Sequence, residues 1–170
     1  VKKELIKISI EKNAFKFHNE DRYSLVDREF IKEIIGTESV GIHVRRGDFV
    51  NSKFDICGID YYKKAIGEMQ KKIQNSCYFF FTDDPDYVNE CFGYVANKKI
   101  IHHNLENSIV DMEMLSLCRN AIISNSTFSL WAVWLGKNHM MNVIAPKYSI
   151  INKGKKFELL VPDNWIQIEV

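Results

Sequence analysis

The sequence predicts an α/β fold: a doubly wound, mostly parallel Rossmann-like sheet. Short β-branched or aromatic runs alternate with helical patterns through the middle and end of the chain, as in βαβ units. The first core run, Val40 to Val44, passes straight into Arg45-Arg46-Gly47-Asp48. Three polar clusters (Arg45 with Arg46, Thr82 to Asp84, Ser124 to Thr127) each follow the carboxyl end of a predicted strand. In open α/β sheets that edge is where ligands bind.

A chain of 170 residues is long enough to bury a core without staples. Its formal net charge of +1 argues against a basic field spread over the whole surface, so no nucleic-acid partner is expected and any basic site is local. Cys57, Cys77, Cys91 and Cys118 show neither C-x-x-C pairing nor metal spacing with the histidines. Cys77 and Cys118 fall in predicted regular elements and are expected to be buried free thiols, which favours a reducing, cytoplasmic compartment. No run is long and apolar enough to span a bilayer, and no signal peptide is visible. Peripheral membrane association of a longer protein stays compatible with this. The chain opens on Val1 rather than methionine and reads as a fragment or processed form.

Residues 1–39 form a lead-in segment, and 40–170 the ligand-binding domain. Ile6, Ile8 and Ile10 alternate as in a short strand, and Ser24 to Ile35 reads as a helix stopped by Gly36. After the polar loop beyond Asp48, Ile59, Tyr62, Ile66, Met69 and Ile73 recur at helical spacing, with tyrosines and methionine as core. Tyr78 to Thr82 is an aromatic strand, and Asp84-Pro85 caps and opens the next helix. A strand near Lys99 to His102 follows, then a helix from Asn107 or Ser108 to about Cys118. Ala121 to Ile123 is the next strand. Phe128 to Leu135 is apolar nearly all round, so that helix should be deeply buried and ended by Gly136. Met141 to Ala145 is a fifth strand. The tail reads as irregular, with Trp165, Ile166 and Ile168 packing back on the body.

Each cluster has a chemistry and a plainer alternative. Arginines fixed at a sheet rim suit a diphosphate, because guanidinium forks bind phosphate oxygens in pairs. Arg45, Arg46 and Asp48 can equally form a structural ion-pair group, and the Arg-Gly-Asp tripeptide is short enough to arise by chance. His43 alternates with Arg45 and shares its side of the strand. Asp83 can accept the N1 and exocyclic amine donors of guanine while Asp84 caps a helix; alternatively, both hold a divalent metal. Adjacent side chains point different ways, which disfavours the metal. Asn125, Ser126 and Thr127 precede a helix, whose free N–H groups seat phosphate; Ser126 can also serve as the N-cap. There is no G-x-G-x-x-G, no P-loop and no G-x-S-x-G elbow.

Together the segments resemble the glycosyltransferase family 11 enzymes, the α-1,2-fucosyltransferases. The matching pieces are His43-Val44-Arg45-Arg46-Gly47-Asp48-Phe49, Tyr61 to Ile66, Phe81-Thr82-Asp83-Asp84, Asp111 to Cys118 and Ile123 to Trp131, in register from about Val40 to Pro146, with Trp165-Ile166 fitting the family's ending. The resemblance implies the donor domain of a GT-B-like glycosyltransferase. It implies GDP-fucose as donor, a galactose-terminated glycan as acceptor, inversion at the anomeric carbon, and no metal or other cofactor. Carried over, Arg45 meets the diphosphate, with Arg46 beside it. His43 and Asp83 lie near guanine, and Asn125, Ser126 and Thr127 lie at the phosphates. Arg45 and Asp48 are the catalytic candidates. Asp48 reads first as a holder for an arginine or the turn and second as the general base.

Phe49 stands where the family commonly has tyrosine, and Leu130 where tryptophan is common. The family's amino-terminal half, with its Gly-rich motif, has no counterpart here. The expectation is therefore a carboxy-terminal, donor-binding portion. A non-catalytic nucleotide- or partner-binding fragment is the competing reading.

Overall fold

The computed structural model describes residues 20–103, 107–136, 142–159 and 161–170. The alternation expected in residues 1–19 lies outside them, as does Met141. Eight strands and five α-helices are described. The strands are β1 (Ser39–Val44), β2 (Cys77–Thr82), β3 (Lys98–Ile101), β4 (Asn120–Ile122), β5 (Asn142–Pro146), β6 (Tyr148–Asn152), β7 (Lys155–Glu158) and β8 (Ile166–Ile168). The helices are α1 (Leu25–Gly36), α2 (Ile59–Lys72), α3 (Pro85–Cys91), α4 (Ser108–Leu117) and α5 (Thr127–Leu135).

Six strands form one sheet in the order β3-β2-β1-β4-β5-β8, and every pairing in it is parallel. Successive side chains in a strand face opposite ways, so a sheet covered on both sides needs apolar residues at nearly every position. That is what these strands supply. Val40, Ile42, Val44, Tyr78, Phe80, Ile122 and Ile144 pack on one face with Tyr61, Tyr62, Ile66 and Met69 of α2 and Val88 of α3. Phe79, Phe81, Ala121, Ile123, Val143 and Ala145 pack on the other with Ile34 of α1, Met114 and Leu115 of α4, and Ala132 and Val133 of α5.

Local signals place the helix starts. Ser24 caps α1 in a reciprocal box: its Oγ accepts from the Asp27 N–H at 3.2 Å, and Asp27 Oδ2 accepts from the Ser24 N–H at 2.8 Å. Asp84 Oδ1 accepts from the Tyr87 N–H at 3.0 Å, with Pro85 in the first turn of α3.

Two expectations need correction. The tail is not irregular: β6 and β7 form an antiparallel hairpin, and β8 extends the main sheet. The hairpin turns through Lys153 and Gly154, both at positive φ, a geometry that suits the twist of paired strands. Helix α5 is not deeply buried all round. Ser129, Ala132 and Val133 are buried, but Trp131 is 43% exposed and meets Trp134 edge to face. One side of a helix meets the sheet here, and apolar composition alone does not tell which.

Candidate functional site

The strand order reverses at β1, from which the chain runs to β2 on one side and β4 on the other. The cleft beyond such a switch point, at the carboxyl ends, is where α/β sheets bind ligands. Parallel register sets Val44 beside Thr82, so Arg45 and Asp83 leave the sheet side by side.

They meet directly. Asp83 Oδ2 lies 2.8 Å from Arg45 Nη1, and Asp83 Oδ1 accepts from the Arg46 N–H at 2.8 Å. Arg45 also donates from Nε and Nη2 to Asp48 Oδ1, at 3.0 and 2.7 Å. Gly47 lets the turn close: a Cβ there would sit 2.6 Å from Asp83 Oδ2. Arg46 stacks over the Tyr87 ring at 4.3 Å and reaches Asp55 Oδ1 at 3.3 Å. Its Nε is buried with no hydrogen-bond partner among the described residues. A buried donor left unmet costs roughly 1–3 kcal/mol.

On the other side of β1, His43 Nδ1 and Ser124 Oγ share a hydrogen bond of 2.9 Å, and the imidazole stacks on Phe128 at 5.1 Å. Burial, and then the nearby Arg45 charge, hold His43 down to about 3, so the ring is neutral. The Ser124 hydroxyl also accepts from the Ser126 N–H at 3.2 Å, and Ser126 Oγ caps α5 by accepting from the Phe128 N–H at 3.3 Å. Thr127 is exposed at the first position of that helix.

The three clusters are thus brought together, though not all in the postures the sequence suggested. Asp83, read as a guanine contact, has both oxygens engaged by the arginine turn. Asp48, read as a holder, is one. Asn125 is fully occupied as a brace: its Nδ2 donates to Phe54 O at 3.1 Å and Ser149 O at 2.9 Å, and its Oδ1 lies 3.5 Å from Cys57 Sγ.

Sequence reasoning missed four contributors. Tyr61 Oη donates to Ile123 O at 2.5 Å and Tyr62 Oη to His43 O at 3.0 Å, so one helix pins the ends of β1 and β4 together. Burial raises both phenols well above the usual tyrosine range, which keeps them as donors. Adjacent tyrosines facing a strand end were the available signal. Asp55 and Tyr87, which seat Arg46, carried none.

The family model for glycosyl transferase family 11 matches residues 10–169. The chain belongs to glycosyltransferase family 11. Among curated family relatives, the O-antigen biosynthesis glycosyltransferase WbnK of Escherichia coli is 32% identical over 161 residues, covering 88% of this chain and 52% of WbnK. The α-1,2-colitosyltransferase of Escherichia coli is 30% identical, covering 90% of this chain and 61% of that protein. This family 11 chain therefore spans between half and two thirds of the length of those relatives. A crystal structure of the α-1,6-fucosyltransferase NodZ soaked with GDP-fucose matches with a TM-score of 0.50 and 18% identity, over 69% of this chain and 42% of NodZ. That likeness bears on the fold: the same GT-B-like α/β arrangement.

Proposed function

We propose that this family 11 chain is the donor-binding portion of a glycosyltransferase that moves L-fucose from GDP-fucose to a galactoside hydroxyl, in α-1,2 linkage, with inversion and without a metal. The observation that carries the reading is the Arg45 guanidinium, held by Asp48 and Asp83 at the switch point. The linkage is supported by the α-1,2-colitosyltransferase relative, and the donor by the GDP-fucose soaked into NodZ.

As GDP leaves, negative charge grows on its diphosphate, and fixed donors lower the barrier. Arginine has five N–H groups. The two carboxylates take three from Arg45, leaving two to face a phosphate. Ser126 and Thr127 add hydroxyls at a helix start. Asp48 is 70% exposed, and an ion pair so open is worth at most about 1 kcal/mol. The diphosphate displaces it from Arg45. His43 and Asp83 then act as supports, with the neutral imidazole beside the base and Asp83 fixing the turn. Metal independence is supported by the two carboxylates most able to bind one: Asp83 grips arginine and Asp84 caps α3, facing apart.

Calorimetric titration with GDP, GDP-fucose and UDP, with and without EDTA, tests this. The expected result is GDP-selective binding that survives EDTA. Binding lost with EDTA overturns the metal-free reading. Tight GDP binding without transfer, when an amino-terminal half is supplied, selects the non-catalytic fragment instead.

A further inference from the structure

The β6–β7 hairpin stands on the same carboxyl edge as the candidate site, because β6 starts two residues after β5 ends at Pro146. Two contacts fix it there: Asn125 Nδ2 donates to Ser149 O, and the Ile151 N–H donates to Lys53 O at 3.4 Å. The Leu159 N–H closes the base of the hairpin on Lys147 O at 2.8 Å. Every residue of β7 is exposed.

Its charge is lopsided. Residues 147–158 hold Lys147, Lys153, Lys155 and Lys156 against the single Glu158, in a chain whose formal net charge is only +1. Lys53 of the adjoining loop lies against β6. Lys147 pairs with Glu169 at 2.9 Å. Among the described residues, Lys53, Lys153, Lys155 and Lys156 enter no salt bridge, although Lys53 lies over the Phe54 ring and Lys156 over the Tyr148 ring, within reach of the Glu169 charge.

The hairpin also carries apolar surface that the body does not cover. Phe157 is 52% exposed and pairs across the strands with half-buried Ile150. Alternation along β7 places Lys155 on the same face as Phe157. Lysines around a protruding aromatic match the edge of an anionic bilayer, where ammonium groups meet lipid phosphates and the ring enters the headgroup boundary. A nucleic-acid surface accounts for the lysines but not for the bare Phe157–Ile150 pair.

We propose that the β6–β7 hairpin docks this protein on an anionic lipid surface, holding the carboxyl edge of the sheet close to the bilayer. The proposal does not depend on which sugar nucleotide the site takes.

Vesicle co-sedimentation of the full chain tests it. Phosphatidylcholine vesicles are compared with phosphatidylcholine vesicles carrying phosphatidylglycerol. Binding is expected only to the second, and it should fall with added salt. Each lysine near such a surface is worth about five-fold in partitioning, so Lys153→Gln with Lys155→Gln, at the hairpin turn and on the Phe157 face, should lower it about 25-fold. Phe157→Ser should weaken binding while keeping its salt dependence. Circular dichroism checks that each variant keeps the fold. Equal binding to neutral vesicles, or no change in the double variant, overturns the proposal. So does unchanged binding by Phe157→Ser, which reduces the patch to a general polyanion binder. If the substitutions instead change the sedimentation mass of the protein, the face is a contact between copies of the chain.

Discussion

At the scale of single residues, the arginine turn has a definite dependency. Arg45 is the anchor, Asp83 the fixed support at 24% exposure and Asp48 the exchangeable partner at 70%. A charge-assisted hydrogen bond contributes about 1.5–3 kcal/mol. Arg45→Ala should therefore weaken GDP binding roughly 10- to 100-fold by calorimetry, with the cooperative melt kept, since its ion pairs lie at a rim. Loss of that melt would assign Arg45 to structure instead. Asp48→Asn separates a holder of Arg45 from a general base. If Asp48 only steadies Arg45, GDP binds as tightly or more tightly, because a competitor has gone. If it is the general base, transfer by the longer enzyme falls by about 10²–10⁴ while GDP affinity holds. Gly47→Ala tests the turn from the other side. The new methyl pushes against Asp83 Oδ2, an atom pinned by Arg45 and the Arg46 N–H, so GDP affinity should drop although no donor is removed. The partners of these side chains were not legible in the sequence. That Arg45 and Asp83 sit at a ligand edge follows from strand ends, but whether a carboxylate faces a base or an arginine depends on distances set by packing.

At the scale of elements, a histidine clamps the first turn of α1 to the sheet body, in addition to the apolar packing of Ile34. His103, just beyond β3, places Nδ1 2.5 Å from Asp111 Oδ1 of α4 and Nε2 3.0 Å from Asp27 Oδ1 of α1. Both carboxylates are buried. Burial works against the charged ring, but the Asp111 hydrogen bond and the charges of Asp111 and Asp27 outweigh it and raise His103 above the usual 6.5. The sign follows from linkage: a raised histidine stabilises fully below its unfolded value and loses that contribution as pH climbs through its folded value. Denaturant midpoints should therefore fall as pH rises above about 6.5, and His103→Gln should flatten that slope. This clamp was invisible in the sequence, since 76 residues separate its ends. The helix it anchors was legible, because Ser24 and Asp27 spell a capping signal on their own.

At the scale of the whole molecule, both faces of the sheet draw on one edge strand that periodicity did not reveal. Strand β8 is three residues long and half-buried; its Ile166-Gln167-Ile168 alternation is too short to announce a strand by itself. The longer buried strands β1 and β2 were legible because covering both faces demands unbroken apolar sequence. Yet β8 closes the sheet beside β5, with Ile166 and Ile168 packed on the layer of α2 and α3 and neighbouring Trp165 on the opposite layer. A short element that seals both layers matters more than its length suggests, since removing it opens two cores and bares the hydrogen-bonding edge of β5. A chain ending at residue 164 should lose roughly 2–5 kcal/mol, since half-buried Trp165, Ile166 and Ile168 go together, read as a lower denaturant midpoint. It should also aggregate more readily, because an unpaired parallel edge is a template for other chains. The arginine turn lies three strands away, at β1, so whatever fraction stays folded should keep its affinity for GDP. If instead affinity and stability fall together at temperatures where the truncated chain is still folded, the sheet transmits strain from its edge to its switch point, and the site is not the locally built unit that the Asp83–Arg45 contact describes.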